Sequence, residues 1–169
     1  MDLQVTACRV TQTELYSPRE QRELRDLTRY RVKLIQGITA NKNRINRILE
    51  DCNIKLSSVM SGTDGVVATK LIEGKQITPE DIDRVYHGKL KACKAELLEA
   101  CNGFITEHHV YMLGLIKRDI AASEVIISDI DGKVRQMLSP YDNVIELLKG
   151  IPGFNLKTAQ DLIAEIGFG

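Results

Sequence analysis

Two apolar seams with coiled-coil spacing constrain this chain more than any other feature of its sequence. In both seams the residues recur at alternating steps of three and four, which keeps them on one stripe of a helix. The first seam is Leu24, Leu27, Arg31, Leu34, Ile38, Asn41, Ile45 and Ile48. The second seam is Leu113, Ile116, Ile120, Ser123, Ile127, Ile130, Val134 and Met137. Each seam therefore predicts a long helix that buries this stripe against a partner helix.

The two seams have similar lengths, so the helices that carry them can pack side by side. Each covers about 25 residues, or roughly 37 Å of helix at 1.5 Å per residue. The connection between them is long enough to bring the chain back, which favours an antiparallel pair. Arg31 and Asn41 are polar members of the first seam, and such residues can fix the register or oligomeric state of a coiled coil. We expect an all-α fold: a long antiparallel helical hairpin with a small helical cap and a C-terminal helix-hairpin-helix-like motif.

Local signals mark where several helices begin and end. Ser17 followed by Pro18 predicts the start of the first long helix. Asn53 predicts its end, because asparagine tolerates the left-handed backbone that terminates helices. The stretch Thr78-Pro79-Glu80-Asp81 has the cap, the proline and the early acids of another helix start. No segment alternates over enough residues to predict a strand that belongs to a sheet.

Charge is segregated along the chain although its formal net charge is zero. The stretch 18–49 has nine basic and three acidic residues, so the rest of the chain has an equal acidic excess. A basic helix of this kind favours contact with a nucleic-acid backbone, and a solvated coiled-coil face is the alternative. The hydrophobic fraction of 43% excludes a disordered chain. No apolar run reaches the roughly 18 residues that a membrane span needs, and we expect no membrane partner.

Residues that could bind metals or catalyse reactions do not form a convincing constellation. The four cysteines lack paired spacing, so free thiols are the expectation for Cys8, Cys52, Cys93 and Cys101. His108 and His109 are adjacent, and adjacent residues of a helix point about 100° apart. Carboxylates at i, i+2 likewise face apart. No nucleotide-binding or hydrolase motif occurs, so the residues alone predict no active site.

The C-terminal segment has the most specific local pattern. A short helix, a tight turn at Pro152-Gly153 and a second helix give the outline of a helix-hairpin-helix. The second helix of such a hairpin offers its first backbone N–H groups to a phosphate. Lys157 and Thr158 would then lie beside that phosphate. Asn155 stands where a second glycine is common and tolerates a left-handed backbone better than most residues; an ordinary packing corner is the alternative.

Several segments of the chain together resemble one known protein family. The resemblance begins with Arg22-Glu23-Leu24-Arg25-Asp26-Leu27-Thr28-Arg29-Tyr30-Arg31. It continues through Asn43-Arg44-Ile45, Leu49-Glu50-Asp51, Ile54-Lys55-Leu56-Ser57-Ser58-Val59 and Glu107-His108-His109. It closes with Ile151-Pro152-Gly153, Thr158-Ala159 and Ala164-Glu165-Ile166-Gly167. These segments extend from about Tyr16 to Gly167, and they resemble the DEDD-type insertion-sequence transposases, which are RNA-guided recombinases.

The resemblance implies a reaction whose catalytic residues have no counterpart in this sequence. In that family a ribonuclease-H-like domain binds Mg²⁺ through four acids, and a C-terminal domain supplies a serine nucleophile for strand exchange. No acid here inherits a metal-binding role, and no serine inherits the nucleophile. The serines considered are Ser17, Ser57, Ser58, Ser61, Ser123, Ser128 and Ser139. We therefore expect a fragment of a transposase that is inactive alone, with no catalytic residue, metal site or cofactor of its own.

The resemblance implies three segments and a binding function. Residues 1–16 match poorly, residues 17–139 correspond to the coiled-coil region with a helical insertion at 54–101, and residues 140–169 correspond to the start of the transposase domain. Expected partners are DNA, a structured guide RNA and further copies of the chain, in the cytoplasm and near the nucleoid of a prokaryote. The expected nucleic-acid contacts are Arg22, Arg25, Arg29, Lys33, Arg44, Arg47, Gly153, Lys157 and Thr158. The alternatives are a coiled-coil adaptor that binds no nucleic acid and an intact enzyme with an unrecognised site.

Overall fold

The computed structural model describes residues 19–54, 66–75, 77–85 and 94–167, and the all-α prediction is confirmed across them. Within these ranges the chain forms helices joined by turns and has no strand. The helices are α1 (Arg19–Asp51), α2 (Val66–Ile72), α3 (Pro79–Val85), α4 (Lys94–Ala100), α5 (Glu107–Leu138), α6 (Asp142–Lys149) and α7 (Leu156–Ile166). A 3-10 turn at Ser139–Tyr141 connects α5 to α6. The predicted cap at Ser17 lies outside the described residues.

The chain divides into two compact units, and each contains part of both long helices. Of the described residues, unit 1 contains Arg19–Ile35 and Val125–Gly167. Unit 2 contains the described residues between Gln36 and Glu124. This division follows contacts in space and differs from the three sequence segments proposed above. The two units are described separately below.

Both predicted seams are turned away from solvent. In the first seam, Leu24, Arg31, Asn41 and Ile45 are buried and the other four residues are half-buried. In the second seam, Leu113, Ile116, Ile130 and Val134 are buried and the other four are half-buried. The two long helices are therefore confirmed, together with the faces that they bury. One continuous antiparallel coiled coil remains a prediction.

Polar contacts join α1 and α5 within unit 2. Asn41 Nδ2 donates to Asp119 Oδ2 at 2.6 Å. Further along α1, Cys52 Sγ lies 3.1 Å from His109 Nδ1. Residue numbers rise on one helix as they fall on the other, so the two helix segments run antiparallel within this unit. Asn41, a polar seam residue, thus has a partner that is specific to this register.

The end of α1 is a Schellman motif with Asn53 in the left-handed conformation. Asn53 has a φ of 62°. Its N–H donates to the Glu50 carbonyl at 2.9 Å, and the Ile54 N–H donates to the Leu49 carbonyl at 2.8 Å. These two bonds satisfy carbonyls that the helix end leaves without partners. The predicted termination at Asn53 is confirmed.

The core of unit 2 forms around this helix end. Leu113 is completely buried, and Leu49 and Ile54 are each 1% exposed. The connection from α4 to α5 passes close to the end of α1, where the Phe104 N–H donates to the Cys52 carbonyl at 3.0 Å. A side chain at Gly103 would collide with that carbonyl and with Ile54. Glycine is therefore required for this close approach.

The start of α3 is locked by a carboxylate that accepts hydrogen bonds from two segments. The N–H and the hydroxyl of Thr78 both donate to Asp81 Oδ2, at 3.1 and 3.0 Å. Lys70 Nζ donates to Asp81 Oδ1 from the last turn of α2. The carboxylate is only 2% exposed, although it is charged. The helix start predicted at Thr78 is confirmed, and Asp81 is the residue that links it to α2.

We expect the stability of unit 2 to fall steeply in acid because of Asp81. The hydrogen bond from Lys70, followed by that from the Thr78 N–H, lowers the pKa of Asp81 from 3.8 to about 2. A carboxyl with a lowered pKa stabilises the folded state above its unfolded pKa, and this contribution disappears as the pH falls through the folded value. The loss should therefore develop between about pH 4 and pH 2. Urea unfolding at a series of pH values measures it.

Two asparagine variants separate Asp81 from the other carboxylates. Asp81→Asn should flatten the fall in stability at low pH, here called the acid limb, because the asparagine amide has no charge to lose. Asp83→Asn removes an exposed carboxylate from the same helix and should leave the acid limb steep. Equal acid limbs in the original protein and in Asp81→Asn would contradict this assignment.

Candidate nucleic-acid interface

The C-terminal hairpin of unit 1 has the two helices and the tight turn that its sequence predicts. Helices α6 and α7 are joined by residues 150–155. Gly153 has a φ of +89°, a conformation that other residues rarely adopt, so the turn requires glycine there. Behind the hairpin, Ala159, Ile163 and Ala164 belong to the core cluster of unit 1. Packing against α1 and α5 therefore positions the hairpin.

Asn155 differs from the expectation that it would replace a glycine in a left-handed conformation. Its φ and ψ are −101° and 174°, which is extended backbone, and it is the N-cap of α7. Its Oδ1 accepts from the Thr158 N–H at 2.9 Å and from the Thr158 hydroxyl at 3.1 Å. Thr158 thus uses both of its predicted phosphate donors inside the hairpin. The N–H groups of Leu156 and Lys157 lie in the first turn, where helix geometry supplies no internal acceptor.

Lys157, the predicted cation of the hairpin, has a partner on α5. Its Nζ lies 3.0 Å from Asp131 Oδ2, and half of its side chain remains exposed. Burial opposes ionisation of Asp131, but hydrogen bonds from Arg31 and Lys157 outweigh it and lower the pKa of Asp131. Lys157 therefore helps to attach α7 to α5 while part of it stays accessible.

Two predicted cations of α1 contact the C-terminal end of α7. Arg25 donates to the Ala164 and Glu165 carbonyls at 3.3 and 3.0 Å. These groups lie at the negative end of the helix dipole, where a cation stabilises the helix. Arg29 donates to both carboxylate oxygens of Glu165 at 2.8 Å. Hydrogen bonding from Arg29 lowers the pKa of Glu165, so the pair stays ionised near neutral pH.

Arg31 is a buried cation at the centre of unit 1, with only 1% of its surface exposed. Its guanidinium donates to Asp131 at 2.7 Å, to Gln160 at 2.9 Å and to Asp161 at 2.6 Å. Three helices thus meet at this polar seam residue. We call Arg31, Asp131, Gln160 and Asp161 the Arg31 cluster. The acceptors of this cluster explain how a basic residue can lie within an apolar seam, and no external anion is needed to neutralise it.

The remaining predicted cations of α1 are exposed at their helix faces. In unit 1, Arg22 and Lys33 lie seven and four residues from Arg29, and this spacing places all three on one face. In unit 2, Arg44 and Arg47 are three residues apart and exposed. Arg44 donates to Asn41 Oδ1 at 3.1 Å, which orients its guanidinium. These exposed side chains are available to a polyanion.

The sequence did not identify the groups that bind Arg25, Arg29, Arg31 and Lys157. These groups belong to residues in the second half of the chain: Asp131, Gln160, Asp161 and Glu165. The one available signal was the position of Arg31 within an apolar seam, which required buried acceptors somewhere. Its partners lie 100 or more residues away, and helical periodicity cannot locate them.

Within the described ranges, no group of three or more His, Cys, Asp or Glu side chains is placed to hold a metal ion. Cys52 and Cys101 are buried free thiols, and Cys8 and Cys93 lie outside those ranges.

No helix in the described part of the chain is long and apolar enough to cross a membrane. Comparisons with models of protein families, with curated proteins and with solved structures found no match for this chain.

Proposed function

We propose that this chain is a nucleic-acid-binding, oligomerising segment of a DEDD-type insertion-sequence transposase, without catalytic activity of its own. The resemblance described above supports the family. The exposed cations of α1, Arg22, Lys33, Arg44 and Arg47, are the observation that carries the binding function. They are exposed on a helix on which Arg25, Arg29 and Arg31 contact acceptors of α7. The proposed setting is the cytoplasm of a prokaryote, beside its DNA.

The proposed mode of binding is contact with phosphates rather than with bases. Cations on an exposed helix face neutralise phosphates and release counterions, so the affinity falls as salt rises. Contacts of this kind position a protein on nucleic acid without reading its sequence. In this proposal Arg29, Gly153 and Lys157 add contacts within unit 1, and Arg25 and Thr158 mainly support α7. The binding partners are duplex DNA and a structured guide RNA.

A quadruple variant tests the binding surface. Neutralising Arg22, Lys33, Arg44 and Arg47 to glutamine should weaken binding to duplex DNA and to a structured RNA. On duplex DNA each lost phosphate contact makes the negative slope of log affinity against log salt shallower by about 0.9. The loss of four contacts should therefore reduce the steepness of that slope by up to about 3.6. Shift assays from about 50 to 200 mM salt measure it.

A matched control distinguishes this surface from net charge alone. Lys117, Arg118, Lys133 and Arg135 are exposed cations on α5, and their exchange for glutamine changes the net charge equally. This control should keep the original salt slope. Absence of any binding at about 50 mM salt, where backbone-contacting proteins bind tightly, would refute the proposal.

A coiled-coil adaptor that binds no nucleic acid is the second candidate, and a specific observation favours it. Arg25, Arg29, Arg31 and Lys157 all make intramolecular ion pairs, so much of the basic charge has a structural use. In unit 1, Tyr30, Val32 and Ile35 are exposed apolar side chains beside Lys33. Light scattering that shows an oligomer, together with shift assays that show no binding, would support this candidate.

A further inference from the structure

A reciprocal cap at the start of α5 contains a histidine in the place usually taken by glutamate or glutamine. The His109 N–H donates to Thr106 Oγ1, and the Thr106 N–H donates to His109 Nδ1, both at 3.3 Å. This pair of bonds is the pattern of a capping box, in which the third helical residue returns a hydrogen bond to the cap. The side-chain oxygens of glutamate and glutamine can accept this hydrogen bond at neutral pH and at lower pH. Histidine keeps this acceptor only while its ring is neutral.

The cap defines the protonation state of the imidazole. A backbone N–H can only donate, so Nδ1 accepts and the neutral ring carries its proton on Nε2. Cys52 Sγ lies 3.1 Å from the same Nδ1, and there the thiol must be the donor. Burial raises the pKa of Cys52, which keeps this sulfur protonated. The ring therefore accepts from Thr106 and from Cys52, and so joins the start of α5 to the turn after α1 within unit 2.

We propose that His109 is a pH-sensitive latch, whose neutral ring holds the start of α5 against the turn after α1 and whose protonation releases it. Protonation converts Nδ1 from an acceptor into a donor, so the hydrogen bond from the Thr106 N–H is lost and the Cys52 thiol can no longer donate to the ring. It also places a positive charge in the first turn of a 32-residue helix, where the helix dipole disfavours cations. The ring is half-buried, so it can turn toward water once it is charged.

Three segments beside the cap carry titratable groups. Asp51 is the last residue of α1, and Cys52 follows it in the turn. Glu107 and His108 lie on α5, and the His108 ring is centred 6.2 Å from the His109 ring. From the turn after α2, Glu73 lines the same pocket as Thr106 and Glu107, and it is paired with Lys75. Within the described ranges no carboxylate forms an ion pair with His109 that would hold the protonated ring in place.

The neighbouring histidine provides a matched control for the test. His109→Gln keeps a capping box but removes the titrating ring, whereas His108→Gln removes an exposed imidazole from the same turn. Unfolding in urea is compared at about pH 7.5 and pH 5.5, on either side of the ordinary histidine value of about 6.5. The stabilisation is complete while the ring is neutral and is lost as the ring takes up a proton. Between these two pH values the unfolding equilibrium constant of the original protein should rise roughly fourfold more than that of His109→Gln, because a helix cap of typical size is lost only in part over this interval.

His108→Gln should respond to pH as the original protein does. An equal response in the original protein and in His109→Gln, or a response abolished by His108→Gln, would overturn the proposal. If His109→Gln does not fold, nitrogen chemical shifts of the His109 ring in the unchanged protein decide at neutral pH. A proton on Nε2 supports the latch, and a proton on Nδ1 overturns it.

Discussion

Exchanging Asp131 and Asp161 together for asparagine should lower the free energy of unfolding by about 3–5 kcal/mol. The exchange keeps the size of both side chains and removes both negative charges around Arg31. The guanidinium is 1% exposed and stays charged, so the folded state would then contain a buried cation without a counter-charge. Gln160 would remain as a neutral acceptor, which cannot compensate for desolvation of the charge. Urea unfolding followed by circular dichroism measures the loss.

Two further variants show whether the buried charge is the cause. Adding Arg31→Met to the double variant removes the cation and largely preserves the volume, so it should restore at least half of the lost stability. Replacing a buried ion pair by apolar groups of similar size is often neutral. As a control, Asp26→Asn and Asp129→Asn together replace two exposed carboxylates of unit 1. This double variant should lower the free energy of unfolding by less than about 1 kcal/mol. A double variant at Asp131 and Asp161 that is equally mild would contradict the charge argument.

The Leu113→Ala variant should lose about 2–5 kcal/mol, the usual cost of a cavity in a packed core. Leu113 is completely buried and belongs to the same cluster as Ile45, Leu49 and Ile72. The truncation removes apolar contacts, and the neighbouring side chains can fill the space only in part. The midpoint and the slope of urea unfolding measure the change, and an unchanged slope shows that the loss is one of stability.

An exposed leucine provides the control for this truncation. Leu147 is 77% exposed on α6, so Leu147→Ala removes the same atoms without leaving a buried cavity. Its effect should stay within about 0.5 kcal/mol. If the two alanine variants were equally stable, the placement of Leu113 at the centre of the unit 2 core would be wrong.

The sequence predicts helices and their buried faces well, because both depend on residues that are close in the chain. Leu113 and Val134 lie in the same seam, and both are completely buried. Asn53 ends α1 because its neighbours along the chain supply the hydrogen bonds of the motif. Asn155 shows how two local interpretations can compete. Thr158 follows it by three residues, and this spacing supports an N-cap as well as the expected left-handed turn.

Partners that lie far apart in the chain could not be predicted in this way. The spacing of Arg25 and Arg29 indicates an exposed basic face, yet both reach the end of α7. Only the folded arrangement brings Glu165 near them, and no period along α1 contains that information. The candidate interface is therefore smaller than the basic stretch of the sequence, and its principal cations are Arg22 and Lys33 in unit 1 and Arg44 and Arg47 in unit 2.

The Arg31 cluster has a consequence for recombining this chain with others. Gln160 and Asp161 are consecutive residues of α7, and both meet one guanidinium from α1. A foreign C-terminal hairpin with apolar residues at these two positions would remove two of the three acceptors of the arginine and leave Asp131 of α5 as its remaining acceptor in the cluster, even if its shape matched. Chimeras should therefore be most stable when the arginine and its acceptors are exchanged as a set. The hairpin and α1 are therefore best transferred together into a chimeric protein, because the residues of the cluster on the two segments match each other.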